Sequence, residues 1–370
     1  VESGYTRFAE GDILPPKITP TFEADRTAIA RDLKGGFGCG TTELHVLRPR
    51  GGCDVRYARF ILSSKPFLTG GQGSMIGVAG QKRVPESFIL NFEVEIPPLS
   101  LQRRIADFLD AETRRIDSLV SLRQESLARL DLRVRSIVTE TLPGSRGTPH
   151  ERWPWLQTTE EARIVRLGRI AQVQSGLTMD ASRTTGDAGV ARPYLRVANV
   201  QDGYLDLDDV RETVVPASVA AGSELQAGDV LMTEGGDLDK LGRGTVWGGQ
   251  VPGCLHQNHV FAVRPNLDVL DPQYLALLTT THHGRAYFES TGARTTNLAS
   301  TSSIKIADFP IPLLPPNRQR SLVTEIAAKL EHVNRISDAT RRQIGLLRER
   351  RQALITAAVT GQIDVTRGAA

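Results

Sequence analysis

The sequence predicts an α+β protein made by tandem duplication. A β-rich mixed α/β globule is followed by a long helix, the pair is then repeated, and the two helices form an antiparallel coiled-coil spacer. Recurrence of short phrases at one register is the first observation behind this. "EGDIL" at 10–14 returns as "AGDVL" at 227–231, "ELHVLRP" at 43–49 as "HVFAVRP" at 259–265, and "YARFILSS" at 57–64 as "YLALLTT" from 274. "IPPLSLQRRI" at 96–105 is answered by "IPLLPPNRQRSL" at 311–322, and "LPG" at 142–144 by "VTG" at 359–361. Gln102-Arg103 and Gln319-Arg320 stand 217 positions apart, and the other pairs keep this offset to within one residue.

The second observation is the pair of long amphipathic stretches. Residues 101–142 contain neither Pro nor Gly, and Ile105, Leu109, Ile116, Leu119, Leu127, Leu130, Val134 and Ile137 recur at three- and four-residue spacing. Ile326, Leu330, Val333, Ile344, Leu347, Leu354 and Ala358 continue the pattern in the second copy. Such spacing sustained over roughly five heptads is a coiled-coil seam. A helix of about 40 residues is roughly 60 Å long at 1.5 Å per residue. Packing the two copies on each other buries the stripe that each would otherwise expose. The third observation is the texture between the helices: β-branched and aromatic runs such as "ELHVLRP", "PYLRVANV" and "NHVFAVRP", punctuated by Gly, Pro, Asn and Asp.

These signals divide the chain into a first globule at 1–98, a first long helix at 99–142, a linker at 143–162, a second globule at 163–314, a second long helix at 315–361 and a tail at 362–370. Short helices are expected at "VRYARFILSS" and "PQYLALLTTTHHGRAYFES". The prolines before each long helix end strand pairing and open the helix. The duplication is lopsided. "RIVRLGRIAQVQSG" at 163–176 opens the second copy well before its "GDVL", whereas the first copy reaches "GDIL" within a dozen residues. The first globule is therefore expected to lack about its opening third, and the chain starts at Val1.

Composition fits a soluble globular chain, with 40% hydrophobic and 24% charged residues and a net charge of +3. No apolar run approaches the roughly 18–20 residues that span a bilayer, no signal-peptide pattern opens the chain, and a cytoplasmic protein is expected. Cys39, Cys53 and Cys254 lack metal or disulfide spacing and are expected as buried small hydrophobes. Seven of the 45 basic residues are lysine and the rest arginine, which a GC-rich coding bias explains as well as phosphate recognition does.

No catalytic constellation stands out. There is no G-x-x-x-x-G-K-[ST] loop, and "GGFGCGTT" at 35–42 precedes an expected strand and reads as a turn. His282-His283 has no carboxylate or thiol at metal spacing and reads as a surface turn. "LPPN" at 314–317 is not the Asn-Pro-Pro-aromatic motif of an adenine methyltransferase, and no carboxylate pair with a lysine marks a nuclease.

The globule–helix–globule–helix order, with "GDILPPKITP", "IPPLSLQRRIADFLDAETRRID", "VRLGRIAQVQSG", "LQAGDVLMTEGGDLDKLGRG", "HQNHVFAVRP" and "RRQALITAAVTGQIDV", resembles the specificity (S) subunits of type I restriction-modification enzymes. The helix-entry phrase and the "ALITAAVTGQIDV" ending are the specific parts. The resemblance implies that each globule is a target-recognition domain reading one half of a split site in double-stranded DNA. It implies helices that set the spacing between the halves and dock methyltransferase (M) and restriction/translocase (R) subunits, in a phage-defence system. It also implies a chain without catalysis and without a cofactor of its own, S-adenosylmethionine, Mg and ATP being expected on the partner subunits. The missing opening of the first globule departs from that pattern.

Base reading needs forked donors and amides, with cations for phosphates. The polar loops supply Lys17, Gln81, Lys82 and Arg83 in the first globule, and Lys240, Arg243, Gln257, Asn258, His259, Arg294, Thr296 and Asn297 in the second. Lys17 with Lys240, and Arg83 with Arg294, fall in comparable segments. The plainer reading is that Gln257 and Asn258 satisfy turn backbone groups and that Arg243 is a solvated charge. Residues 103–142 hold eight Arg against seven acids, a mixed surface suited to protein docking, and 318–351 hold nine Lys or Arg against four acids. Two other readings remain: a coiled-coil protein-interaction scaffold whose globules bind protein or small ligands, and an enzyme with a cryptic site.

Overall fold

The computed structural model describes residues 4–78, 81–178, 189–201, 203–236, 241–294 and 299–365. In chain order, β1 (Thr6–Ala9), β2 (Ile13–Leu14), β3 (Ala28–Ile29) and β4 (Phe37–Gly40) precede α1 (Val55–Leu62), α2 (Lys65–Ser74), α3 (Glu86–Leu90) and the long α4 (Leu99–Thr141). The short pair β5 (Thr148–Pro149) and β6 (Gln157–Thr158) leads to β7 (Arg163–Arg166), β8 (Ala171–Ser175), β9 (Gly189–Leu195), β10 (Arg211–Pro216) and α5 (Ala217–Ser223). Then come β11 (Val230–Thr233), β12 (Gly235–Gly236), β13 (Gly244–Val246), β14 (Leu255–His256), β15 (Val260–Pro265), α6 (Pro272–Thr280) and α7 (His282–Thr291). The chain closes with β16 (Ala293–Arg294), β17 (Ala299–Ser300), α8 (Ser303–Ala307), β18 (Pro310–Leu313) and the long α9 (Pro316–Val359).

Two compact units divide both long helices, α4 after Leu127 and α9 after Ser337. In the first unit, Ile105, Ala106 and Leu109 at the opening of α4 share a core with Ile355, Ala358 and Val359 at the end of α9 and with Tyr57, Phe60 and Ile61 of α1. In the second, Val138 and Leu142 at the end of α4 share a core with Leu322 and Ile326 at the opening of α9. In each unit the start of one helix meets the end of the other, so the pair runs antiparallel, as the order of globules and helices along the chain predicts. The seam is not uniform. Ile105, Leu109, Ile116 and Ile137 are buried, whereas Leu119 is 40% exposed. Thr113, Ser337 and Thr340 are buried along the two helices where an all-apolar stripe is expected.

The sheets of the two units share one register. In the second unit, β11 lies between β13 and β15, with Val230 opposite both Val246 and Val263, and β8 pairs on the far side of β15. In the first, Ile13 stands opposite Ile29 and Leu47 in the same way.

Two polar devices hold this frame, and both recur. Gly11 and Gly228 adopt φ of +84° and +95°, a left-handed turn that favours glycine. Each turn aims the next residue, Asp12 or Asp229, inward, where both are 1% exposed. Asp12 Oδ2 accepts from the Ala9 N–H at 2.7 Å, and Asp229 Oδ2 from the Gln226 N–H at 2.8 Å. Arg48 forks onto Asp12 with Nε and Nη2 at 2.7 Å, and Arg264 forks onto Asp229 at 2.8 Å. The Arg48 hydrogen bond holds the Asp12 carboxyl below the usual carboxylate range. A buried carboxylate is tolerated because every hydrogen bond it needs is supplied.

The second device is the glutamine of the helix-entry phrase. Gln102 accepts from the Asp54 N–H at 2.8 Å and donates to the Gly52 and Pro97 carbonyls at 3.0 and 2.8 Å. Gln319 accepts from the Asp271 N–H at 2.9 Å and donates to Val269 and Leu314 at 2.8 and 2.7 Å. Asp54 and Asp271 in turn cap α1 and α6. Each carboxamide thus joins its long helix to the helix cap of its globule.

Three sequence expectations are corrected. "GGFGCGTT" is a turn at Gly35 and Gly36 and again at Thr42, but between them Phe37–Gly40 is a strand paired with β1. A Cβ at Gly38 would fall 2.5 Å from the Phe8 ring, so the glycine there admits the aromatic. Of the cysteines only Cys254 is buried; Cys39 is exposed on β4 and Cys53 is half-buried. His282-His283 is not a surface turn. The pair opens α7, capped by Thr281, and adjacent helical positions face different ways: His282 is exposed, whereas His283 is buried and stacked on Phe309 at 5.2 Å.

Two outcomes are expected. Gln319→Ala strands the Asp271 N–H and two carbonyls in the interior and should cost about 1–3 kcal/mol in urea denaturation. An unchanged midpoint would refute the tie. His283 donates from Nε2 to the Pro310 carbonyl at 2.7 Å, and burial pushes its pKa down from the ordinary 6.5 to about 4. An unfolded chain takes up this proton near its ordinary value, and the folded unit takes it up only near 4. The associated stability is therefore full above about pH 6.5 and is lost as pH falls toward 4, on the order of 3 kcal/mol in all. Denaturation series across that range should show a steeper decline for the wild type than for His283→Gln.

Candidate nucleic-acid interface

In the first unit the backbone gathers all four expected residues. Ile18 and Ile76 both stand in antiparallel bridges with Arg83. The Val84 N–H donates to the Lys17 carbonyl at 2.8 Å, and the Thr19 N–H to the Lys82 carbonyl at 3.0 Å. Lys17 is half-buried, and Gln81, Lys82 and Arg83 are exposed. Arg83 is already engaged: its Nε and Nη2 fork onto Glu43 at 2.8–3.1 Å. The arginine hydrogen bond lowers the Glu43 pKa. Glu43 was not read as part of the site; an exposed acid opposite an arginine carries no motif.

In the second unit β12, β17 and β16 form a ribbon, with Gly235 and Ala293 both opposite Ser300. The Glu234 N–H donates to the His259 carbonyl at 2.9 Å, and the Thr301 N–H to the Glu234 carbonyl at 2.7 Å. The exposed His259 imidazole meets the Glu234 carboxylate through Nδ1. Gln257 and Asn258 are half-buried, with their N–H groups on the Leu195 and Leu177 carbonyls at 2.9 Å, and Arg243 is half-buried beside the buried Leu241. His256, in the same loop, faces the core: it is fully buried and hydrogen-bonded through Nδ1 to Val260 at 2.6 Å, and burial lowers its pKa. Arg294 lies on β16. Lys240, Thr296 and Asn297, with Thr295, lie outside the described residues.

The pairings revise the correspondence read from the sequence. The contacts of Ile18, Ile76 and Arg83 in the first ribbon are those of Gly235, Ala293 and Ser300 in the second, each 217 positions on. Lys17 therefore answers Glu234 and Arg83 answers Ser300, rather than Lys240 and Arg294. Glu43, hydrogen-bonded through its carbonyl to the Lys17 N–H at 2.8 Å, answers His259. The backbone is held constant while Lys, Glu and Arg at three ribbon positions become Glu, His and Ser. At the frame, Asp12 and Asp229, Arg48 and Arg264, Gln102 and Gln319, and Tyr57 and Tyr274 are identical.

Among the described residues there is no group of three or more His, Cys, Asp or Glu that could hold a metal ion, and no helix long and apolar enough to cross a membrane.

Two copies of one globule, each seated on two antiparallel long helices, define a duplicated scaffold whose copies differ in the residues of one polar ribbon. Its relatives are specificity subunits of type I restriction enzymes, so the resemblance carried by the motifs is borne out. The chain is 42% identical over 140 residues to the type I restriction enzyme EcoEI specificity subunit of Escherichia coli, covering 38% of this chain and 23% of that one. It is 43% identical over 148 residues to the EcoAI specificity subunit of the same organism, covering 39% and 24%. The chain thus matches about a quarter of the length of these relatives. A solved chain from work on complex assembly and conformational transition of the type I R-M system superposes with a TM-score of 0.64 at 20% identity. The superposition covers 98% of this chain and 85% of that one, and shows the fold. No family model matches.

The contrast between frame and ribbon is measurable. Arg83→Ser installs what the second copy carries at the same backbone position and should leave stability within about 0.5 kcal/mol. Asp12→Ala removes the acceptor of a charged fork and of a backbone N–H and should cost about 1.5–3 kcal/mol. Equal costs in urea denaturation would erase the distinction.

Proposed function

We propose that this chain is the non-catalytic specificity subunit of a type I restriction-modification system, reading a bipartite double-stranded DNA site. Residues 1–98 and 163–314 act as the two target-recognition domains, and 99–142 with 315–361 form the spacer. The reading rests above all on the constant frame beneath a changing ribbon. Two half-sites of different sequence call for one fold presenting different donors and acceptors to base edges. The mixed charge of 103–142 suits docking of methyltransferase and restriction/translocase subunits. Those subunits carry methyl transfer, cleavage and their cofactors.

On this reading the first ribbon offers Lys17, Gln81, Lys82 and Arg83 to DNA, with Arg83 exchanging Glu43 for a base or phosphate. The second offers Arg243, Gln257, Asn258, His259 and Arg294, together with Lys240, Thr296 and Asn297. The same ribbons on a protein-interaction scaffold would be expected to present a mainly apolar surface; in the first ribbon the exposed Ile76 and Val78 share the surface with exposed Gln81, Lys82 and Arg83.

Methylome sequencing of a host carrying this chain and its partner subunits is expected to show a split motif methylated in both halves. A continuous motif, or none, would refute the proposal. Removing one heptad from each long helix is expected to change the spacing of the halves and leave their bases unchanged. Arg294→Ala, if that side chain reaches a guanine, should weaken binding by about 1–3 kcal/mol and relax one position of the second half.

A further inference from the structure

The two arms of the first ribbon end in a surface with a chemistry of its own. Ile76 and Arg83 exchange both backbone hydrogen bonds, at 3.0 and 2.9 Å, so they stand directly opposite and their side chains leave the same face. The Gln81 N–H donates to the Val78 carbonyl at 3.0 Å, which draws the arms together at their ends. Gly77 permits this approach: its φ is +140°, and a Cβ there would fall 2.6 Å from the Gln81 carbonyl oxygen. At the base of the ribbon, Val84 is buried in one core with Phe22 and Phe67 and anchors the arm to the globule.

Beyond that anchor the ribbon is not uniformly polar. Ile76 is 70% exposed and Val78 81%. This exposure does not follow from how the first globule opens. Ala293 and Ser300, the counterparts of Ile76 and Arg83, are also exposed in the second unit, where residues 163–175 are present and paired. Two branched aliphatics side by side at the end of a ribbon form a contact surface, since each is stabilised by leaving water. Three cations, Lys17, Lys82 and Arg83, and one acid, Glu43, are hydrogen-bonded into the same ribbon. The excess of positive charge calls for an anionic partner, and the aliphatics call for an apolar group held close to that partner's charge. The major groove of DNA combines the two: phosphates border it, and the C5-methyl of thymine is the apolar group on its base edges.

We propose that Ile76 and Val78 read thymine methyl groups in the major groove. The first unit thereby selects A·T pairs by apolar contact, while Lys17, Lys82 and Arg83 hold phosphates or neighbouring base edges. This rests on the DNA-reading role proposed above, and adds which chemical group of a half-site the aliphatic pair recognises.

The test starts from the motif methylated in a host that carries this chain and its partner subunits. Each thymine of that motif, on either strand, is replaced by uracil one at a time, and duplex binding by the chain with its partner subunits is measured at fixed salt. Uracil keeps every hydrogen-bonding group of thymine and lacks the C5-methyl. The expected result is binding about three- to tenfold weaker at one or two positions of one half-site. That sensitivity should vanish in the Ile76→Ser/Val78→Ser variant, which should bind the thymine and uracil duplexes alike. Both side chains are exposed, so the variant's circular dichroism should be unchanged. Sequence-selective binding by the wild type that ignores uracil at every position, or uracil sensitivity that persists in the variant, would overturn the inference and leave the DNA reading standing. A variant that binds every duplex as the wild type does but releases a partner subunit would make the pair a protein contact and overturn it equally. If the wild type selects no duplex, the DNA reading itself fails, and this inference with it.

Discussion

A buried carboxamide ties each globule to its long helix. Gln102 and Gln319 sit one turn inside their helices with all three hydrogen bonds made to backbone groups of the adjoining globule or of the strand exit. No apolar side chain could do this, since the groups it meets are an N–H and two carbonyls that would otherwise stay unpaired in the interior. The orientation of the helix against the cap of α1 or α6 follows. So does the seating of Tyr57 or Tyr274, whose hydroxyls donate to the Val359 and Pro312 carbonyls. With that junction fixed, the opening of one helix and the end of the other become part of each unit's core.

The frame and the ribbon obey different constraints. Asp12 and Asp229 are held by a fork and a backbone N–H, and a change at either end leaves a buried group unmatched. The ribbon positions lie where water can replace a lost partner, so Lys17 and Glu234, or Arg83 and Ser300, occupy one backbone arrangement. Duplication followed by change at such positions yields two differently lined surfaces on one scaffold, which the proposed function takes as the two base-reading surfaces.

Much of this was legible in the sequence because it repeats. The Gly-Asp pair, the Gln-Arg pair and the helical spacing are local patterns that recur at a fixed distance, and the structure seats them in equivalent places. What was not legible depends on non-local partners. Which face of α7 holds His283 is decided by Phe309 and Pro310, and the strand character of Phe37–Gly40 is decided by Phe8. The ribbon correspondence was misread because loops of unequal composition were aligned by residue type, whereas the pairing of Ile18, Ile76 and Arg83 is a property of the backbone. The exposure of Leu119 was hidden for a similar reason. Heptad spacing marks a stripe, and only the packing of α1 and the helix ends shows which parts of it are covered.

The central claim is that a constant frame carries an interchangeable ribbon, and a graft tests it most directly. Glu234, His259 and Ser300 would be replaced by Lys, Glu and Arg, the residues of the first ribbon, and the methylated motif of a host carrying the grafted chain with its partner subunits would be sequenced. The account predicts that the second half of the motif changes while the first half and the spacing stay as they were. An unaltered second half, or a change in spacing alone, would contradict it.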